Sequence, residues 1–219
     1  EKHDANIMFL IQQANVRSSE LKTAKAFQEE VKAIGEAANK QITNIEISAY
    51  ASPDGALDLN QGLAEKRQDA TAKVVNKNLK KDKMEANVDT KYTAEDWEGF
   101  QELVSKSNIQ DKELILRVLS MYKEPEQREQ EIKNISSVYS DLADEILPQL
   151  RRSRLTLNYE IIGKSDEEIA NLADNNAKEL SLEELLYAAT LAKDAAKKEA
   201  IYTKATQLFP NDYRAFNNL

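Results

Sequence analysis

The run Ile45-Glu46-Ile47-Ser48-Ala49-Tyr50-Ala51-Ser52-Pro53-Asp54-Gly55, with Asn60-Gln61-Gly62-Leu63-Ala64-Glu65-Lys66-Arg67 shortly after it, sets the architecture of this chain. Ile45, Ile47, Ala49 and Ala51 alternate with Glu46, Ser48 and Tyr50, and a period of two is the signature of a half-buried strand. Ser52-Pro53-Asp54-Gly55 ends it as a turn, in which Pro presets φ and Gly accepts a positive φ. Asp58 with Gln61 three residues later resembles a capping box, and Leu59, Leu63, Ala70, Val74 and Leu79 then carry a helix as far as Lys80-Lys81-Asp82-Lys83.

Upstream, Ile7-Met8-Phe9-Leu10-Ile11 is expected to be a short strand buried on both faces. After Ser18 and Ser19, either able to cap, Leu21, Ala24, Phe27, Val31, Ile34 and Ala38 recur at helical spacing. Downstream, residues 86–92 give a third strand. Strand, helix, strand, helix, strand is the alternation of crossover connections and a helix-covered sheet, so the class is α+β. A helical stretch intervenes: Thr93 is expected to cap a segment with Trp97, Phe100, Leu103 and Val104; Asp111 opens a second; Pro125 suits a first helical position; and a last stripe, Tyr139, Leu142, Ile146 and Leu150, is bent or stopped near Pro148. Leu155, Leu157, Tyr159 and Ile161 alternate with polar residues and should close the sheet. From Ser165 the signal is helix only, over residues 166–173, 182–192, 197–209 and from 212 onward.

Composition bounds the chemistry. The chain of 219 residues is 31% charged and 41% hydrophobic, enough for one sizeable core or two small ones. Its longest apolar run is far short of the roughly 18 residues that cross a bilayer. The net charge of −8, with cations interspersed among anions, argues against nucleic acid as a partner. With no Cys and only His3, there is no thiolate site, disulfide or histidine-based catalysis to expect, and no metal or cofactor is implied. The chain starts at Glu1 without a leader, which fits a processed chain whose address has been removed. No phosphate-binding Gly loop, G-x-S-x-G elbow or H-E-x-x-H helix is present, and Asp166-Glu167-Glu168 is better explained by the helix macrodipole than as an acid/base pair. An enzyme is not expected.

The strand, the turn ending in Gly55, and Asn60, Leu63, Ala64 and Arg67 in register on the next helix resemble the signature of the OmpA-like peptidoglycan-associated domain. Leu150-Arg151-Arg152-Ser153-Arg154 resembles that family's basic lead-in to its last strand. The wording Tyr-Ala-Ser-Pro-Asp-Gly looks like the Bacteroidetes-type cell-envelope variants. The resemblance implies a β-α-β-α-β…β mixed sheet over residues 1–163, with a helical insertion at about 93–152. It also implies a periplasmic, outer-membrane-associated protein that rests on peptidoglycan. In the family, an acidic turn residue and the helical Arg grip the ammonium and carboxylate of diaminopimelate. Arg67 keeps the Arg; Ser52 stands at the acidic position, with Asp54 the nearest carboxylate. Arg67, Ser52, Asp54 and Asn60 are therefore the candidate ligand residues. Arg67 falls on the apolar side of its helix, and pairing with Asp54, with Asp58 or with the chain's own carbonyls explains it equally well. Ser52 and Asp54 also fit plain turn chemistry, and Trp97, Phe100 and Tyr122 fit a core.

Residues 164–219 are similar to a tetratricopeptide-type repeat, since Tyr202, Ala205 and Pro210 fit the end of one helix pair and Phe216 and Leu219 the start of the next. That similarity implies a segment truncated mid-repeat, with a protein partner bound through the helices. The alternative is a structural or interaction scaffold whose OmpA-like domain has lost diaminopimelate binding, as Ser52 suggests.

Overall fold

The computed structural model describes residues 1–217, and the chain divides into two compact units, Glu1–Ile161 and Ile162–Leu219. The first is built in the order β1 (Lys2–Met8), α1 (Ser18–Glu36), β2 (Lys40–Tyr50), α2 (Leu57–Lys81), β3 (Val88–Thr93), six further helical pieces and β4 (Arg152–Ile161). The sheet order is β1-β4-β2-β3. β2 and β3 are parallel, joined through α2, and β4 runs antiparallel to both β1 and β2. The last strand thus completes the sheet from its middle, where Leu155 and Leu157 are fully buried. Ile7, Phe9, Ile45, Ile47, Leu155 and Leu157 meet Phe27, Val31 and Ile34 of α1 and Val75 and Leu79 of α2 in one core.

Two expectations about this core are corrected. β1 lies earlier than Ile7-Met8-Phe9-Leu10-Ile11: the polar residues from Lys2 onward form it, and Leu10 and Ile11 are exposed. A strand with one open face needs an inward side chain only at every second position, so its polar start is no obstacle. Helix α2 buries Asn60, Ala64, Arg67, Thr71, Val75 and Leu79, while Leu59 is 71% exposed. Its inward face is turned from the expected apolar stripe because polar side chains on that face are bonded inside the protein, which a hydrophobic pattern cannot register. Nor does Asp58 cap α2, whose N-cap is Ala56; Asp58 accepts from the N–H of Leu59 beside it.

The insertion comprises α3 (Trp97–Lys106), α4 (Lys112–Met121), α5 (Pro125–Asn134), α6 (Ser136–Asp141), a π-helical turn (Leu142–Ile146) and α7 (Leu147–Leu150). Pro125 sits at the start of α5 as its fixed φ favours. Asp96, not Thr93, caps α3, accepting from the N–H of Gly99. Thr93 is the last residue of β3. The widened turn precedes Pro148, whose ring cannot donate to the helical ladder. Phe100, Val104, Ile115, Leu119, Ile132, Leu142, Ile146 and Leu150 give the insertion its own core.

The second unit contains α8 (Asp166–Asn175), α9 (Leu182–Leu191) and α10 (Ala195–Leu208). Ser165, Ser181 and Asp194 cap them, Ser181 in a full capping box with Glu184. Leu185, Ala188 and Ala189 of α9 and Ile201 and Ala205 of α10 share a core in which small residues allow close helix approach. After Pro210 the chain forms a 3-10 turn, Tyr213–Phe216, where a helix was expected. Leu219 lies outside the described residues. Among the described residues no helix is long and apolar enough to cross a membrane.

Candidate functional site

Arg67 projects from the buried face of α2, between residues that hold that face to the sheet. Thr71, one turn on, donates its hydroxyl to the carbonyl of Arg67 or to Ser153 Oγ of β4. The Arg67 guanidinium is 0% exposed. Its Nε donates to the carbonyl of Gln13 at 2.9 Å, Nη1 to Tyr50 at 2.9 Å and Nη2 to Leu10 at 3.1 Å. The charge also lies over the Phe9 ring, 5.2 Å from its centre. Its pKa is lowered to about 10, first by burial and then by the positive field of Arg151, with Asp54 opposing both. Arg67 therefore does not line an open concavity. It ties the end of β2 and the β1–α1 loop to α2, as the reading with internal carbonyls expected.

Ser52, Asp54 and Asn60 are brought together where β2 passes into α2. Gly55 has φ of +99°, the left-handed conformation anticipated for it. The Ser52 hydroxyl donates to Asp54 Oδ1. Asn60 Nδ2 lies 3.3 Å from the carbonyl of Asp54 and 3.4 Å from that of Gly55, so Asn60 fastens the turn to the first coil of α2. The cation that faces Asp54 is Arg151: its Nη2 is 3.7 Å from Asp54 Oδ2, and its Nε donates to Ser52 Oγ at 3.4 Å. Both contacts are long. The two side chains keep 11% and 21% of their surface in solvent, so the pair can exchange partners. Arg151 also lines an open groove of about 480 Å³ with Phe9, Leu10, Ile11, Arg17 and Pro148.

A second charged group stands beside this one. Arg152 Nη2 meets Asp96 Oδ2 at 3.1 Å, and both side chains are buried. Burial raises the pKa of Asp96, against the opposing pull of the Gly99 N–H and Arg152. The Asp96 N–H donates to the carbonyl of Ala51, so the insertion is anchored next to the turn. Trp97 and Phe100 pack edge to face in the core of the insertion, with centroids 5.5 Å apart, and Tyr122 packs against that core.

Sequence reasoning quoted Arg151 only as part of a basic run and missed its pairing with Asp54. It also missed Glu129 of α5, which accepts from the Gly55 N–H of the same turn, and Lys133, which donates to Glu129. Their i,i+4 spacing was the available signal. Among the described residues no group of three or more His, Asp or Glu side chains is arranged to hold a metal ion.

No protein-family model matches the chain, and no curated protein matches it. Among solved structures it is similar to the OmpA-like domain of FopA1 from Francisella tularensis subsp. tularensis SCHU S4, at 14% sequence identity and a TM-score of 0.40, over 75% of this chain and 76% of that one.

Proposed function

We infer that this chain is a non-catalytic cell-envelope protein of OmpA-like type, periplasmic and associated with the outer membrane, whose first unit holds peptidoglycan non-covalently. The observation that carries the reading is the partly buried pair Asp54–Arg151 at 3.7 Å, with Ser52 bonded to both. Opposite charges this close, yet not in hydrogen-bond contact, are suited to open around a zwitterion. Asp54 would take the ammonium of a diaminopimelate side chain and Arg151 its carboxylate. Arg67 and Asn60 shape the site from behind. The spacing of Asn60, Leu63, Ala64 and Arg67 after the turn supports the same assignment. In the second unit, the shared core of α9 and α10 and the exposed Tyr187, Tyr213 and Phe216 support a tetratricopeptide-like, protein-binding role.

Sedimentation of the protein with insoluble peptidoglycan, with and without free diaminopimelate, tests this. Co-sedimentation that diaminopimelate abolishes is the expected result. A second reading, a scaffold that has lost this ligand, is favoured by the buried, carbonyl-bound Arg67 and by Ser52 at the acidic position. Protein that stays in the supernatant selects it.

A further inference from the structure

The turn proposed to take the ligand is already engaged by the protein's own charges. Gly55 donates its backbone N–H to Glu129 Oε1 at 2.9 Å, across 74 residues of sequence. Lys133, one helical turn along α5, donates its ammonium to the same oxygen. That ammonium holds its proton more tightly than an ordinary lysine, first through the bond to Glu129, and the nearby Asp54 carboxylate adds to the effect. Helix α5 thus brings a carboxylate to a turn amide and an ammonium into the field of Asp54. A zwitterionic amino-acid group would bring the same two charges.

Two further observations make this contact a closure that can be reversed. Between the turn and the insertion, Pro53, Asp54, Trp97, Phe100, Ile132 and Leu142 enclose only about 10 Å³, so a ligand cannot enter there while α5 stays in place. Yet α5 has little apolar anchorage: Ile132 is its one buried residue, Arg128 ties it to the carbonyls of Leu119 and Tyr122 within the insertion, and the side chains of Glu129 and Lys133 retain 19% and 43% of their surface in solvent. A helix with a single buried apolar side chain, its other ties confined to the neighbouring part of the insertion, belongs to the less stable end of a fold.

We propose that Glu129 and Lys133 are an internal pseudo-ligand, which keeps the β2–α2 turn closed until the zwitterionic end of a diaminopimelate-containing stem peptide displaces them. This rests on the binding reading above and adds its regulation. A tethered competitor reduces apparent affinity by the fraction of molecules left open.

The test uses the full chain. Calorimetry with free diaminopimelate and sedimentation with peptidoglycan are compared for the wild type, Glu129→Gln and Glu129→Ala/Lys133→Ala. Binding about ten-fold tighter in the double variant, with a smaller gain for Glu129→Gln, is expected. In the wild type, saturating diaminopimelate should speed hydrogen exchange of the α5 amides. Wild-type binding that the variants match or fall below, or α5 exchange that the ligand leaves unchanged, overturns the pseudo-ligand while sparing the binding reading. If neither wild type nor variants bind, both are overturned.

Discussion

Arg67 and Arg151 are both arginines at the same end of one sheet, and they are held in opposite ways. Arg67 is sealed off, and its donors end on three main-chain carbonyls. Arg151 keeps contact with solvent, and it faces a carboxylate and a hydroxyl at distances that leave both bonds weak. Backbone carbonyls cannot leave, so a cation bonded to them serves the fold. Side-chain partners at a rim can be replaced, so a cation facing them can serve a ligand. The contrast is the reason Arg151, and not the Arg that stands out in the sequence, is proposed to face the ligand.

The largest effect should come from Arg67→Ala, which leaves three carbonyls without a donor and a cavity under Phe9. Urea unfolding is expected to show a loss of about 3–5 kcal/mol. Stability close to that of the wild type would collapse the comparison and return Arg67 to the ligand. Next, Gly99→Ala would set a methyl group against the Asp96 carboxylate and push it from its cap and from Arg152. A loss of about 2 kcal/mol in thermal unfolding is expected. A neutral result would mean that the short Asp96–Arg152 pair relaxes as easily as the long Asp54–Arg151 one.

Arg151→Ala should cost only about 1 kcal/mol of stability while reducing co-sedimentation with peptidoglycan by about ten-fold. Equal and large losses in both would place Arg151 with Arg67. The smallest effect concerns pH. Because the carboxyl of Asp96 has a raised pKa when folded, the folded chain binds its proton more tightly than the unfolded chain does. Its contribution to stability therefore falls as pH rises from about 4, the ordinary aspartate value, through the raised folded value. Asp96→Asn should remove that slope, since the amide stays neutral across the range in which the carboxyl titrates. An unchanged slope in denaturant midpoints against pH would assign it to other carboxylates.

Particular residues show where pattern reading works and where it stops. The alternation of Ile45, Ile47 and Ala49, and of Leu155 and Leu157, is forced by a sheet with one covered face, and it was legible without coordinates. Pro125 and Gly55 were legible for the same kind of reason, since each is tied to a local backbone angle. The inward face of α2 was not. Asn60, Arg67 and Thr71 count as polar in any hydrophobic period, and they are buried because partners distant in sequence accept their hydrogen bonds.

Local geometry and periodicity in the sequence by themselves determined the α+β class, the existence of the four strands, the left-handed Gly55 turn and the helix-only end of the chain. The tertiary structure alone decided that β4 lies inside the sheet and that Arg67 is spent on Leu10, Gln13 and Tyr50. It alone decided that Arg151 meets Asp54 and that Glu129 of the insertion sits on the Gly55 amide. Each of those outcomes joins groups far apart in the chain, and which long-range partner satisfies a charge depends on packing that no window of sequence contains.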